Sequence, residues 1–292
     1  MQTATHAAAT QLLPTVRWDS HDITRLVIGH NPMKGRLHYS PQLSEEMKRY
    51  HLDVDVKVAN LRRCVESGIN TAQGGGEVMH AALRAFADEG GRVQWIATVY
   101  MNGDGRSILG VRVTLEQELD AVLSVTPRAI GLQHFGEKTD QMYVEGRTAQ
   151  IRENLRRFRD TGLLVGLCTH LPEVIDLAET ERWDVDFYQA SFYNVYSAAR
   201  LGRISRDQEQ FSDDDRDRMV STIGQASKPC LAFKVLGANR KCGTPEEVRE
   251  ALQLAYARIK PTDVKCVGMW QKHRHQVVEN CATVRRILGP RM

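Results

Sequence analysis

The stretch LLVGLCTHLPEVIDLAETERWDVDFYQASFYN, residues 163–194, decides the fold. Its apolar run Leu163–Cys168 is typical of a strand buried on both faces. Pro172 then opens a helical pattern, which suits Pro because its missing N–H would have no partner in the first turn. A second apolar and aromatic strand, Val185–Phe192, follows the helix. The stretch therefore predicts a strand–helix–strand unit, the building block of parallel α/β folds.

The same alternation continues on both sides of this unit. Further apolar runs predict strands at Leu26–Gly29, Ile69–Ala72, Val93–Tyr100, Ala129–Gln133, Cys230–Leu236 and Val264–Met269. Roughly eight strands alternate with roughly eight helices over a length typical of a closed parallel barrel. No GxGxxG follows the first strand, which disfavours an open doubly wound sheet. We predict an α/β protein with a single (β/α)8 TIM barrel.

The domain prediction divides the 292 residues into a tail and one barrel. Residues 1–15 are predicted to be a flexible N-terminal tail and residues 16–292 the barrel domain. Two irregular stretches, about 31–52 and 190–212, are predicted to be long loops, which in compact domains often cover or line binding sites. For helix starts, Thr114 with Gln117 predicts a capping box and Asp213 an N-cap.

Composition describes an ordinary soluble protein. Hydrophobic residues make up 42%, charged residues 26%, and the net charge is +3. This small charge predicts neither a nucleic-acid partner nor a membrane surface, and no apolar run is long enough to span a bilayer. The six Cys form no CxxC pair, and the N-terminus lacks the pattern of a secretory signal. These features predict a cytoplasmic protein with reduced, mostly buried thiols.

Several segments together resemble the aldo/keto reductase superfamily. They are GLCTHLPEVIDLAE (166–179), VDFYQASFYN (185–194), IGLQHFG (130–136), GINTAQGGGE (68–77), VGM (267–269) and QVVEN (276–280). The resemblance covers most of residues 26–288 and implies that family's barrel. It also implies that His134 is the active-site histidine and that Gln189, Glu279 and Asn280 hold an NAD(P) cofactor.

The resemblance breaks at the residues that carry reduction. The family's catalytic Asp falls on Asn70, its Tyr near Gly75 and its Lys on Val99, so that only His134 remains of the tetrad. Carbonyl reduction needs a proton donor at the oxygen while hydride arrives at carbon, and the family uses a Tyr acidified by its Lys neighbour. A glycine has no proton to give and a valine cannot lower a pKa. We therefore predict that the chemistry has changed.

Four residues near predicted strand exits are candidates for a shared site. His30, His134 and His170 follow or end strands, and Glu77 lies just past another one. Strand exits converge on one mouth in a barrel, so these side chains are predicted to form a divalent metal site. The alternative is that each histidine is a hydrogen-bonded pocket or core residue.

Two basic features complete the candidate list. Lys234 lies inside the apolar run LAFKVLG, residues 231–237, where it must point into the barrel mouth or lie beside an acid. It is predicted to be a Schiff-base nucleophile or an oxyanion partner, with a structural ion pair as the alternative. The run KHRH, residues 272–275, opposes the dipole of the last helix, and a cofactor phosphate there would relieve the conflict.

These observations predict an enzyme that acts on a small polar carbonyl or polyol metabolite by non-reductase chemistry, as a lyase, isomerase or hydrolase. His134 and His170 are the predicted acid–base groups or metal ligands, His30 and Glu77 supporting ligands or base, and Lys234 the oxyanion partner.

Two alternatives remain open. In the first, the protein is an NAD(P)-dependent oxidoreductase with a rearranged proton donor, either His134 or Tyr100. Its cofactor would be held by Gln189, Glu279 and Asn280. In the second, it is a non-catalytic binding subunit that lost the tetrad.

Overall fold

The computed structural model describes residues 11–36, 40–100, 113–194 and 211–289. Within these ranges, eight parallel strands close into a barrel, which confirms the predicted single (β/α)8 TIM barrel. A short antiparallel hairpin of β1 (Thr15–Trp18) and β2 (His21–Thr24) precedes it. The barrel strands are β3 (Leu26–Gly29), β4 (Thr71–Gly74), β5 (Gln94–Val99), β6 (Gly131–His134), β7 (Leu164–Thr169), β8 (Phe187–Ser191), β9 (Cys230–Phe233) and β10 (Val264–Gly268).

The barrel closes through β10, which pairs in parallel with both β3 and β9. Its strands are buried on both faces because helices cover the outside and side chains fill the inside. The described helices are α1 (Pro41–Tyr50), α2 (Val54–Glu66), α3 (Glu77–Asp88), α4 (Leu115–Leu123), α5 (Gly136–Val144), α6 (Thr148–Arg159), α7 (Pro172–Thr180), α8 (Asp213–Gln225), α9 (Pro245–Arg258) and α10 (Gln276–Leu288).

Two apolar clusters make up the core. The larger one lies between the strands and the helices. The smaller one fills the barrel interior, where Trp18 of the hairpin stacks on Phe187 of β8 with ring centroids 5.2 Å apart. Trp18 also donates its indole N–H to the carbonyl oxygen of Thr262 at 3.0 Å. The hairpin therefore seals the end of the barrel at which the strands begin, and a ligand must enter from the opposite end.

The predicted long loop at 31–52 is wrong for much of its length. Residues Pro32–Lys34 form a 3-10 turn, and α1 occupies Pro41–Tyr50. The Ser40 side chain accepts the N–H of Leu43, and Pro41 stands in the first turn. Ser40 followed by Pro41 is thus a regular helix start, which the loop prediction did not take into account.

The other boundaries need smaller corrections. Leu13 is buried and β1 begins at Thr15, so the predicted tail does not extend to residue 15. In the loop predicted at 190–212, the first two residues belong to β8, and residues 195–210 lie outside the described ranges.

Helix starts mostly follow the sequence signals. The predicted capping box of Thr114 and Gln117 is present. The N-cap of α8 is Ser212, not Asp213, which lies inside the helix as one of three acidic residues at its positive dipole end. Helix α5 was not predicted, because its apolar residues follow no clear helical period.

The six Cys are free thiols, and Cys242 alone among them is not fully buried, in line with the predicted reduced, mostly buried cysteines. None of the described helices has the length and apolar content needed to cross a bilayer.

Candidate active site at the open end of the barrel

The open end of the barrel holds a cavity of about 410 Å³. Each of the eight barrel strands contributes at least one residue to its wall, and β10 also contributes Val267 and Gly268. We take one residue from each strand and call the set the cavity floor: Gly29, Gln73, Thr98, Gln133, Cys168, Gln189, Phe233 and Cys266. None of the eight carries a charge. Charged groups belong to the loops and helices above the floor, among them Arg36, Glu137 at the start of α5, and Lys234.

His134 points away from this cavity, so its predicted place in a shared site is wrong. Successive side chains of a strand face opposite sides, and β6 directs Gln133 inward and His134 outward toward α5 and α6. Its Nδ1 lies 2.8 Å from the Thr139 hydroxyl and its Nε2 lies 3.1 Å from the Asn154 amide. Burial lowers the pKa of His134 to about 4. His134 is a neutral, hydrogen-bonded core residue.

His170 lines the cavity and is paired with a buried carboxylate. Its Nδ1 lies 2.7 Å from Oδ2 of Asp140, whose side chain is fully buried in α5. The backbone N–H of His170 and the hydroxyl of Thr169 also donate to Asp140. With Nδ1 held by the carboxylate, Nε2 is the ring nitrogen that can exchange a proton with a ligand. Asp140 thus sets the orientation of the imidazole.

Lys234 follows β9 in a strained backbone conformation. Its φ is 57°, in the left-handed region that side chains other than glycine rarely adopt. Ala238 and Asn239 in the same turn also have positive φ and also line the cavity. Phe233 lies beside both His170, at 5.3 Å between ring centroids, and the Lys234 ammonium, at 5.6 Å from its ring centroid. Lys234 and His170 therefore share one side of the cavity, as predicted for strand exits.

His30 lines the cavity on another side and is bound to Tyr100. Its Nε2 lies 3.0 Å from the phenol oxygen, which also receives the Lys34 ammonium and donates to the carbonyl oxygen of Gly75. Burial, together with the charge of Lys34, lowers the pKa of His30 to about 3. Burial, followed by the charge of Arg36, lowers the pKa of Lys34 to about 8.

The phenol of this group is a poor proton donor. Burial raises the pKa of Tyr100, and this effect outweighs the nearby charge of Arg36. Tyr100 is 7% exposed and is not among the described residues that line the cavity. A phenol with a lysine neighbour is thus present, but His30 stands between it and the cavity.

The glycines after β4 make room for this arrangement. A Cβ on Gly74 would lie 2.5 Å from the His30 side chain, and one on Gly75 would lie 2.2 Å from the Thr98 carbonyl oxygen. Gly74 and Gly75 therefore allow the end of β4 to pack closely against His30 after β3 and against β5, and a larger residue at either position would clash.

The predicted metal cluster is not assembled. Glu77 is exposed at the start of α3, where it pairs with Arg84. With His134 facing outward as well, His30 and His170 are the two predicted ligands that reach the cavity. In the part of the chain that the structure describes, no three His, Cys, Asp or Glu side chains are grouped as metal ligands.

The predicted cofactor residues reach the cavity, but the basic run near them is neutralised. Gln189, Glu279 and Asn280 all line the wall. Glu46 of α1 accepts hydrogen bonds from Lys272 at 2.6 Å and from His273 at 2.9 Å, and Arg274 pairs with Glu279. A dinucleotide phosphate needs such cations for itself. Three of the four residues in the run predicted to hold a phosphate, Lys272, His273 and Arg274, therefore already pair with carboxylates in this structure.

Two residues that shape this site are not predicted from the sequence. Asp140 lies in the unpredicted α5, and Lys34 lies in the stretch predicted to be a loop. No local motif marks either residue, because each acts on a partner distant in sequence. Strict alternation along LQH places Gln133 and His134 on opposite faces of β6, but it does not tell which of the two faces inward.

Solved aldo-keto reductases resemble the chain along nearly its whole length. One from Bacillus halodurans has a TM-score of 0.60 at 10% sequence identity, covering 97% of this chain and 92% of that one. A thermostable one solved with the inhibitor epalrestat has a TM-score of 0.52 at 13% identity, covering 93% and 94%. One from Brucella melitensis has a TM-score of 0.51 at 10% identity, covering 96% and 95%.

By sequence, no family model and no curated protein matches the chain. The likeness at such low identity concerns the path of the backbone and says nothing about the reaction. Together with the closed parallel barrel and its open-end cavity, these comparisons show that the chain has the (β/α)8 barrel fold of the aldo-keto reductases.

Proposed function

We propose that this protein is an enzyme that moves a proton next to the carbonyl group of a small polar metabolite, as an isomerase or a lyase. The observation that carries the proposal is that His170 lies in the wall of a 410 Å³ cavity and is held from behind by the buried carboxylate of Asp140. A histidine held by a buried carboxylate is a recurrent general base, because the carboxylate orients the ring and stabilises the imidazolium that forms.

Two residues that line the cavity, His170 and Lys234, have separate roles in this chemistry. His170 Nε2 takes the proton from the carbon beside the carbonyl, and the electron pair moves onto the carbonyl oxygen as an enediolate. The ammonium of Lys234, on the same side of the cavity, stabilises that oxygen. In an isomerase, His170 returns the proton to the former carbonyl carbon, while the hydroxyl proton of the adjacent carbon passes to the enediolate oxygen, so that the carbonyl moves by one carbon. In a lyase, the enediolate re-forms the carbonyl and expels the hydroxyl group of the next carbon, which leaves as water with the proton held by His170.

Two features of the structure disfavour the reduction of a carbonyl substrate. Burial raises the pKa of Tyr100, which is bound to His30 behind the cavity wall. The cations expected to hold a cofactor phosphate already have carboxylate partners. An oxidoreductase that uses Tyr100 remains the second candidate, because Lys34 contacts its phenol as a reductase lysine would.

Deuterium exchange tests the proposal without knowledge of the product. The protein is incubated in D2O with a panel of aldoses, ketoses and keto acids, and proton NMR follows loss of signal at the carbon beside each carbonyl. We expect exchange with at least one compound, and a rate about 100-fold lower in Asp140→Asn and in His170→Gln.

The matched control is His21→Gln, a histidine of the hairpin at the sealed end of the barrel, which should exchange at the wild-type rate. Absence of exchange with every compound, combined with NADPH oxidation that Tyr100→Phe abolishes, would establish the second candidate instead.

A further inference from the structure

The cavity floor contains two buried carbonyl oxygens without a partner. They are Oε1 of Gln133 on β6 and Oε1 of Gln189 on β8, in side chains that are 1% and 4% exposed. Both residues line the cavity. A buried acceptor that has lost its water and gained no donor destabilises the ligand-free protein. Such atoms are therefore uncommon unless a bound ligand donates a hydrogen bond to them.

The neighbouring hydrogen bonds explain why Gln133 offers its carbonyl oxygen. The Thr98 hydroxyl oxygen accepts the amide of Gln73 at 2.7 Å and the amide of Gln133 at 3.0 Å. The Gln73 oxygen in turn lies 3.5 Å from the thiol of Cys266. This network uses the nitrogen of Gln133 and leaves its oxygen for a donor from elsewhere.

The floor also restricts the charge of what it binds. Its eight residues are uncharged, and two acceptor oxygens repel a carboxylate or phosphate. Strands β6 and β8 flank β7, and His170 directly follows β7, so a ligand that reaches both oxygens also lies beside the proposed base. The partner of this floor is therefore a group that donates hydrogen bonds and carries no negative charge, and the uncharged floor offers no carboxylate to pair with a cation.

We propose that Gln133 and Gln189 read hydroxyl groups at the inner end of a monosaccharide-sized polyol. This assignment rests on the proposed function and places the substrate among the sugar-like carbonyl compounds. Two of its hydroxyl groups donate hydrogen bonds to the cavity floor, while its carbonyl end faces His170 and Lys234. The floor then selects against deoxy analogues, because each missing hydroxyl leaves a buried acceptor unpaired.

Binding of named sugars and their deoxy counterparts tests the assignment. Saturation-transfer NMR measures the affinity of pentoses and hexoses, with their 2-deoxy and 6-deoxy analogues as probes. For the best-bound sugar, we expect at least one deoxy analogue to bind about 10-fold more weakly to the wild type. Gln189→Met and Gln133→Met should remove this discrimination, and Gln94→Met, at the sealed end of β5, should keep it.

A second measurement separates ligand recognition from a structural role. Without ligand, Gln189→Met should melt at the same temperature as the wild type or higher, because Met replaces an orphaned acceptor by an apolar group of similar length. A fall of several degrees would mean that Gln189 supports the fold, which contradicts the proposal.

The outcomes distinguish this proposal from the proposed function. Hydroxyl discrimination without deuterium exchange supports the polyol floor and refutes the isomerase or lyase. Exchange with equal binding of sugars and deoxy analogues supports the enzyme and refutes the floor. Binding of no sugar, or NADPH binding that Gln189→Met abolishes, also overturns the floor, since the Gln189 oxygen would then serve another ligand.

Discussion

Lys234 is one of the cavity residues that adopt a backbone conformation unfavourable for a residue with a Cβ. A left-handed conformation costs a residue with a Cβ about 1 kcal/mol relative to glycine. The turn keeps this conformation at Lys234, Ala238 and Asn239, all of which line the cavity. Strain of this kind persists where the surrounding structure enforces it, and it often accompanies function.

A pair of substitutions at Lys234 measures this strain. Lys234→Gly and Lys234→Ala both remove the side chain, but only glycine adopts a φ of 57° without a clash. We expect the glycine variant to have a free energy of unfolding about 1 kcal/mol higher than the alanine variant, measured by urea denaturation. Both should lose most deuterium exchange, since neither has the ammonium. Equal stability of the two variants would show that the turn is relaxed.

At the scale of elements, α1 determines how the cavity meets solvent. Leu43 and Met47 of this helix line the cavity, and Glu46 joins the helix to Lys272 and His273 before α10. The helix therefore forms part of the cavity wall and is joined to the segment before α10, close to the residues that the resemblance assigns to a nucleotide.

The contact that Glu46 makes between α1 and the segment before α10 can be tested by comparison with the neighbouring residue Glu45. Glu46→Gln loses the charged contact to another element, whereas Glu45→Gln loses only a pair with Lys48 inside α1. Exposed ion pairs are weak, so we expect amide hydrogens of α1 to exchange roughly threefold faster in Glu46→Gln than in Glu45→Gln. Hydrogen exchange with mass spectrometry measures this, and identical rates would mean that α1 is held by its apolar side chains alone.

A fully buried lysine outside the cavity affects the stability of the whole molecule. Lys265 on β10 is buried between the barrel and α9, and its Nζ lies 3.4 Å from the ring centroid of Tyr256 and has no hydrogen-bond partner in the described part of the chain. Burial lowers the pKa of Lys265 well below its ordinary value, with Arg25 acting in the same direction. The folded protein therefore holds this amine neutral at a pH where the unfolded chain protonates it.

This difference makes global stability depend on pH in a fixed direction. Between the lowered folded pKa and the unfolded value of about 10.4, the unfolded state binds one more proton, so stability falls as pH falls. Relative to wild type, Lys265→Met should gain unfolding free energy as the pH is lowered from 10, by up to about 1.4 kcal/mol per pH unit over the range in which the folded protein keeps the Lys265 amine neutral. Urea denaturation at several pH values measures this. The exposed-site control Lys228→Met should run parallel to wild type, and a parallel profile for Lys265→Met would contradict the neutral amine.

The sequence by itself determined the barrel. Apolar runs such as Leu163–Cys168 alternate with helical patterns, and strands buried on both faces must be covered by helices on one side and packed side chains on the other. It also determined that His30, His170 and Lys234 reach the open end, since strand exits in a barrel converge.

Only the tertiary structure decided the composition of the site. It joined His170 to Asp140, Tyr100 to Lys34 and Glu46 to Lys272, pairs that are far apart in the chain and leave no local pattern. It also turned His134 outward and Gln133 inward. The physical reason is that periodicity records which residues are buried, whereas the partner of a buried polar group depends on how distant elements pack.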